Sequence, residues 1–162
     1  MVNKTRLASV VIALTTIPLA EHSARAQISA TAAITAAPSG ANWLYTVRLT
    51  NTAATASSAT NIETFWFAWD FPVYDFLPSL PTVTNHPANW TTFIEHAIGG
   101  YSIEWYDPGT TSPITAGQTN NSFQFISPDS PATLSTTNAF SLGLPTTYSF
   151  AYSGPRDRKS VV

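Results

Sequence analysis

Alternation of apolar and polar side chains is the feature that most constrains the fold of this chain. Residues two apart lie on the same face of a β-strand, whereas a helix needs apolar residues at spacings of three and four. Residues 43–51 show the strand pattern most clearly, since one face would carry Trp43, Tyr45, Val47 and Leu49. No helical stripe of useful length occurs in residues 27–156, so the pattern predicts an all-β fold.

Similar segments recur along the chain between turn residues. The predicted strands cover residues 28–36, 43–51, 62–70, 90–97, 101–106, 122–127 and 146–153, with a further short one at 139–142. Residues 71–89 hold several prolines and predict an irregular excursion, because proline cannot donate to a sheet ladder. Seven or eight short strands predict an antiparallel β-sandwich, Ig-like or similar. Its expected core consists of Trp43, Tyr45, Val47, Leu49, Phe65, Phe67, Trp69, Ile94, Ile103, Trp105, Phe123, Phe125, Tyr148 and Phe150.

Residues 1–26 have the parts of an export signal peptide. Two basic residues open the segment, residues 7–20 are mostly apolar, and a small-x-small cleavage pattern ends at Ala26. Cleavage there would leave Gln27 as the new N-terminus, and the apolar run is too short for a comfortable membrane span. We therefore expect a secreted or cell-surface protein whose mature chain has no membrane span.

The last six residues, 157–162, differ abruptly in composition from the sequence before them. All six fit, in one reading frame, the translation of a sequencing adapter, although a short charged tail is also an ordinary way for a domain to end. We expect the adapter origin and exclude the tail from the fold. Residues 27–156 then form one β-sandwich domain, truncated at its C-terminus.

Composition excludes several classes of function. The chain has no cysteine, so disulfides and thiol chemistry are excluded, and an exported protein of this kind is typical of a bacterial envelope. Residues 27–156 contain seven acidic residues and no lysine, against only Arg48 and Arg156. A surface with that charge repels phosphate backbones, so we expect no nucleic acid partner.

Two glutamates form the first candidate site. If Gly99 and Gly100 make a two-residue hairpin turn, Glu95 lies directly opposite Glu104, with Cβ atoms about 5 Å apart. The pair could hold Ca²⁺ with Asp107, or act as a retaining glycosidase, whose carboxyls lie about 5 Å apart. It could also be a solvated pair, or the register could differ by one residue. A solvated pair or a shifted register is the favoured interpretation, so we expect no catalytic residue.

Trp66 is the second candidate site. It would face away from Phe65, Phe67 and Trp69, on the polar side of its sheet. An indole in that position can serve as a stacking platform for sugar rings. In the alternative interpretation, residues 71–89 fold back and cover it.

Motifs of established catalytic sites are absent from the sequence. His96 is expected on the core face of the hairpin and His86 in a turn, and neither has the partners of a hydrolase triad. There is no HExxH metal motif, no glycine-rich phosphate loop and no EF-hand loop.

A set of aromatic motifs carries a family resemblance. The motifs are Phe65-Trp66-Phe67-Ala68-Trp69, Phe76-Leu77-Pro78, Gly100-Tyr101-Ser102-Ile103-Glu104-Trp105, Ala116-Gly117, Phe123-Gln124-Phe125 and Tyr152-Ser153-Gly154. Through them the chain resembles uncharacterised exported bacterial β-sandwich proteins, some of which end in a Pro-Glu-Pro (PEP-CTERM) sorting tail. The resemblance implies a secreted β-sandwich without an assigned activity. This chain lacks the Pro-Glu-Pro motif, the terminal apolar helix and the arginine cluster of the tailed members.

The expected function follows from these features. We expect an exported surface or extracellular module, structural or adhesive, with no enzymatic activity and no required cofactor. The alternative is a carbohydrate-binding module that uses Trp66, with a structural Ca²⁺ bound by Glu95, Glu104 and Asp107. The expected partner is an extracellular polysaccharide or the cell-surface matrix.

Overall fold

The computed structural model describes residues 10–13, 28–70, 74–136 and 146–154. The expected strand at 139–142, the cleavage site between Ala26 and Gln27, and the tail at 157–162 lie outside these ranges. Residues 10–13 belong to the segment that the sequence predicts to be a signal peptide, and here they form a strand.

The described residues contain eleven strands, one α-helix and one short 3-10 helix. In chain order they are β1 (Val10–Ala13), β2 (Ala30–Ser39), β3 (Asn42–Asn51), the 3-10 helix (Ser58–Thr60), β4 (Thr64–Phe67), β5 (Trp69–Asp70), β6 (Tyr74–Asp75), β7 (Thr82–Asn85), β8 (Thr91–Ala97), β9 (Gly100–Tyr106), β10 (Thr119–Ser127), α1 (Pro131–Leu134) and β11 (Ser149–Tyr152).

These strands form two main sheets and a small two-stranded one. The first sheet has the order β1-β2-β3-β10-β7, the second has the order β11-β4-β9-β8, and β5 pairs with β6. The strands of all three sheets pair antiparallel. The predicted all-β sandwich is therefore confirmed, with more strands than the sequence suggested.

The core lies between the inner faces of the two main sheets. Ring centroids of Phe65 and Phe123 lie 5.5 Å apart across this interface, and those of Phe67 and Phe125 lie 5.3 Å apart. Trp105 stacks on Phe65 at 5.6 Å. Full burial of one such side chain stabilises the fold by roughly 1.5–3 kcal/mol. Aromatic packing therefore supplies the cohesion that a domain without disulfides needs.

Strand β3 shows how sequence alternation becomes packing. Tyr45, Val47 and Leu49 are each 2% exposed or less, while Arg48 between them is exposed. The turn between β2 and β3 contains Gly40 at φ 63°, a conformation that glycine adopts without steric cost. The expected strand here is confirmed together with its inward face.

The proline-containing excursion is more regular than expected. β6 lies in it, and β7 pairs with β10 at the edge of the first sheet. This pairing is possible because the prolines nearest to β7, Pro81 and Pro87, lie outside the strand. Next to β6, the chain passes so close to Gly100 that a Cβ there would lie 2.1 Å from the carbonyl oxygen of Leu77.

Helices contribute little to this fold. The four-residue α1 begins after Ser130, whose hydroxyl accepts a hydrogen bond from the amide of Thr133 at 3.2 Å. Leu134 is its buried residue and packs into the core. Within the ranges that the structure describes, no helix is long and apolar enough to cross a membrane.

Candidate binding face

The β8–β9 hairpin differs from its predicted register by two residues. Ala97 pairs with Gly100, so the turn is formed by Ile98 and Gly99 and not by the two glycines. Glu95 consequently lies opposite Ser102, and Glu104 lies opposite Phe93. The two glutamates share a face but are diagonal neighbours. The expectation that they lie directly opposite each other is wrong.

The proposed third metal ligand, Asp107, is occupied by its own loop. Its side chain is fully buried, and its two carboxylate oxygens accept hydrogen bonds from the amides of Gly109 at 3.2 Å and Ser112 at 2.5 Å. No group of three or more His, Cys, Asp or Glu side chains in the described ranges could hold a metal ion. The structure therefore does not assemble the expected calcium site from Glu95, Glu104 and Asp107.

Trp66 faces away from the core as expected, but it is only 1% exposed. The expectation that it forms an exposed platform is therefore wrong. Ala68 has a φ of 59°, which breaks the strand alternation and turns Trp69 toward the outer face. Trp69, which the sequence predicts to be in the core, instead stacks on Trp66 with ring centroids 5.0 Å apart.

Strand β11 also has the opposite orientation to the one expected. Ala151 and Ser149 are 1% exposed and point inward, while Tyr148 and Phe150 lie on the outer face and are only partly buried. Tyr152 follows on the same outer side. The expected core position of Phe150 is wrong because the small residues of this strand fill the inner face, whereas Tyr148 is partly buried and also packs against the core.

Five rings thus form a connected group on the outside of the second sheet, which we name the outer aromatic cluster. Its members are Trp66, Trp69, Tyr148, Phe150 and Tyr152. Along β11 the ring centroid of Phe150 lies 4.9 Å from that of Tyr148 and 6.1 Å from that of Tyr152. Trp69 contacts Phe150 and Tyr152 edge to face, at 5.5 and 6.4 Å. Sequence reasoning missed this cluster because it assigned three of its rings to the core.

Strand pairing places a carboxylate next to the cluster. Phe150 pairs with Trp66, Trp66 with Glu104, and Glu104 with Phe93, so these four residues cross the sheet in one row. Glu104 is fully buried in this row, whereas Phe93 at its end is 39% exposed. Tyr106 belongs to the next row, where it pairs with Thr64 and Thr91, and its side chain is partly buried.

The charge of this face is negative. Asp70 lies close enough to Tyr148 for its charge, together with burial as the larger cause, to raise the pKa of the tyrosine hydroxyl. Glu95 adds a partly buried carboxylate on the same outer face. Arg48, which is the only lysine or arginine in the described ranges, is on the outer side of the other main sheet.

The two histidines in the described ranges contact a carbonyl oxygen and a tyrosine ring. His86 is exposed, with its Nδ1 3.0 Å from the carbonyl oxygen of Pro87 in the predicted turn. His96 lies on the core face as predicted and stacks on Tyr101 at 4.5 Å, but its side chain is exposed.

A shallow recess beside α1, which Thr147 also lines, is a poor alternative site. It lies between α1 and the first sheet, where Ile34, Tyr45 and Leu134 contribute to its walls. Its empty volume is about 290 Å³ including open solvent, which is below the usual size of a small-molecule pocket. The outer aromatic cluster is therefore the better candidate for function.

Comparison of the chain with protein-family models, with curated proteins and with solved structures found no match.

Proposed function

We propose that this chain is an exported structural or adhesive module of the cell surface or extracellular matrix, which works by contact and has no enzymatic activity. The outer aromatic cluster is its contact face. One observation carries this proposal: β11 directs Phe150 and Tyr152 outward and has the small residues Ser149 and Ala151 at its inner positions. A strand that served only the stability of the sandwich would place its large apolar side chains inward.

The energetics agree with a contact role. A fully buried aromatic side chain removes about 150–250 Å² from water, and each Å² of apolar area contributes about 25 cal/mol. Tyr148, Phe150 and Tyr152 are only partly buried, so a partner that covered them would gain part of that free energy.

The positions of the carboxylates favour contact over catalysis. Glu95 and Glu104 are diagonal neighbours, and Glu104 is fully buried beside Trp66. The carboxylate of Asp107 accepts hydrogen bonds from its own loop. A contact function requires none of these groups to meet a substrate.

An adhesion assay tests this proposal. Full-length protein displayed on a non-adherent bacterial host should increase retention of the cells on glass or promote cell–cell clumping. The double variant Phe150→Ser/Tyr152→Ser should lose most of that retention. Leu80→Ser is the matched control, because Leu80 is 59% exposed and lies outside the outer aromatic cluster. Equal retention by the double variant and the wild type would contradict the proposal.

Export is tested separately with a fusion. Residues 1–40 joined to a phosphatase that is active only outside the cytoplasm should give an active reporter. A variant in which the apolar residues Val10, Val11 and Ile12 are replaced by aspartate should give none. An inactive wild-type fusion would remove the exported location from the proposal.

A further inference from the structure

We infer that two copies of the processed chain associate through β2, which becomes an edge strand when residues 1–26 are removed. The inference rests on the proposed export, because cleavage between Ala26 and Gln27 takes β1 away from the first sheet. The contact uses the edge of the first sheet and not the outer aromatic cluster on the second, so the two surfaces are tested by different variants.

The structure shows that this edge of β2 accepts an antiparallel strand. The other edge of β2 pairs with β3 along all ten of its residues. Among the described residues, β1 is the strand on the outer edge, and it pairs Val10 with Ile34, Val11 with Ala33, Ile12 with Ala32 and Ala13 with Thr31. Removal of β1 therefore leaves a row of backbone N–H and C=O groups on β2 without a strand partner.

The sequence of β2 lacks the features by which exposed edge strands avoid pairing with other chains. Such strands are usually short, or they contain lysine or a central proline. β2 is ten residues long, its proline is Pro38 near the end of the strand, and residues 27–47 contain no charged residue. Its inward residues Ala32 and Ile34 are 4% and 6% exposed with β1 in place. An edge of this kind is a template for another strand once β1 is gone.

The distribution of charge favours a second copy of this chain as that strand. The described strands of the first sheet contain no aspartate or glutamate, and Arg48 is their charged residue. The carboxylates of the other strands are Asp70, Asp75, Glu95 and Glu104. Pairing at β2 therefore places no like charges directly opposite each other. The two Arg48 side chains start three strand spacings apart, about 14 Å, which exceeds the screening length of about 8 Å at physiological salt.

A two-fold axis at Ala33 gives a register that suits these residues. Residues 30–36 then pair with the same residues of the second copy, and the ladder ends before Pro38. On the inner face, Ile34 lies opposite the smaller Ala32 of the second copy. The first sheets of the two copies become one continuous sheet, in which the second β2 takes the antiparallel position that β1 occupies here.

The mass of the processed and unprocessed chain in solution tests the inference. The full chain is produced in a bacterial host, the form that begins at Gln27 is recovered from outside the cytoplasm, and the unprocessed form is recovered from inside it. Mass spectrometry verifies both N-termini. Size-exclusion chromatography with light scattering should give the mass of one chain, 17.4 kDa, for the unprocessed form. The processed form should have twice the mass of one chain.

Substitutions at Ala33, which is partly exposed, locate the contact. Ala33→Lys places two lysines opposite each other and should weaken dimerisation by on the order of tenfold, whereas Ala33→Ser should leave it unchanged. The chain has no cysteine, so Ala33→Cys should form a disulfide-linked dimer of the processed form under mild oxidation. Leu80→Cys is the control, because Leu80 is 59% exposed and lies outside β2, and it should cross-link far more slowly.

The outcomes separate this inference from the proposed function. A processed form that is monomeric or forms open-ended aggregates, a dimer that Ala33→Lys leaves intact, or equal cross-linking of the unprocessed Ala33→Cys chain would each overturn the inference. If cell retention still depended on Phe150 and Tyr152 in that case, the contact function would stand. If no form beginning at Gln27 were recovered, β1 would stay on the edge, and the export proposal and this inference would fall together. Near-ultraviolet circular dichroism verifies that each variant is folded.

Discussion

The hydroxyl of Tyr45 donates a hydrogen bond to the main-chain carbonyl oxygen of Asp129 at 2.6 Å. Tyr45 lies on β3, and Asp129 lies in the turn between β10 and α1, 84 residues further along the chain. The ring of Tyr45 is also stacked on Phe125 at 4.9 Å. This contact therefore fixes the turn that follows β10 to the core of the first sheet.

Replacing Tyr45 by phenylalanine should lower the free energy of unfolding by about 1 kcal/mol, the usual net contribution of one hydrogen bond. The stacked ring remains, so the fold should be retained. Urea unfolding followed by tryptophan fluorescence measures the change. A Phe125→Leu variant, which keeps the hydrogen bond but removes the stacked partner, provides the comparison.

Stability should decline at alkaline pH because of the same residue. Burial, and secondarily the charge of Asp129, raise the pKa of Tyr45 above its ordinary value of about 10. The unfolded chain therefore loses this proton at lower pH than the folded protein, so the stabilisation is complete below about pH 10 and is lost above it. Tyr148 has a raised pKa and acts in the same direction. Urea midpoints measured between about pH 8 and pH 11 should fall less steeply with pH in Tyr45→Phe than in the wild type. Equal slopes would contradict the assignment of this pH dependence to Tyr45.

The carboxylate of Asp129 is expected to be important for stability and not for activity. It accepts hydrogen bonds from the amide and hydroxyl of Ser79, both at 3.0 Å, and from the hydroxyl of Ser127 at 3.1 Å. Asp129→Ala should cost about 2 kcal/mol, and Ser79→Ala about 1 kcal/mol. The double variant should cost less than the sum because the two residues share contacts. Strict additivity in urea titrations would show that these bonds are not formed in solution.

Strand β11 allows a direct test of which side chains face inward. Ala151→Leu should destabilise the protein by about 1–3 kcal/mol, since the position is 1% exposed and packed against the core. Phe150→Leu, on the outer face, should cost less than about 1.5 kcal/mol. Thermal unfolding of both variants measures the difference. The reverse order of costs would support the side-chain orientation that the sequence suggested.

Ala68 is predicted to control the position of Trp69. Its φ of 59° is unfavourable for any residue with a Cβ and most unfavourable for a β-branched one. Ala68→Gly should change stability by less than about 1 kcal/mol, because relief of strain offsets the lost methyl. Ala68→Val should cost about 3 kcal/mol and separate Trp69 from Trp66. Near-ultraviolet circular dichroism should report that separation, and a Val variant with an unchanged spectrum would contradict it.

The sequence predicts the sandwich well wherever alternation is unbroken. On β3 and β10 every aromatic residue falls on the same alternate positions, so the inward face can be assigned without a structure. On β4 the assignment holds up to Phe67 and fails at Trp69, because nothing in the sequence shows that Ala68 adopts a left-handed conformation.

The predicted orientation of β11 was wrong for a different reason. Its small residues and its aromatic residues alternate perfectly, so the periodicity is equally consistent with either orientation. The general preference for large side chains in the core led to the wrong orientation. The observed orientation depends on Trp69, which lies on the outer face and contacts Phe150 and Tyr152 there. In the hairpin, the face of Glu95 was predicted correctly, but the turn formed one residue earlier than the glycine pair suggests.

Hydroxyl-radical footprinting is the measurement that tests the contact face most directly. Full-length protein is oxidised free in solution and again when retained on the adhesive surface, and mass spectrometry compares the modification of each ring. The account predicts that oxidation of Tyr148, Phe150 and Tyr152 falls on retention while that of Leu80 does not change. Protection of Leu80, with Tyr148, Phe150 and Tyr152 as reactive as in the free protein, would contradict the account.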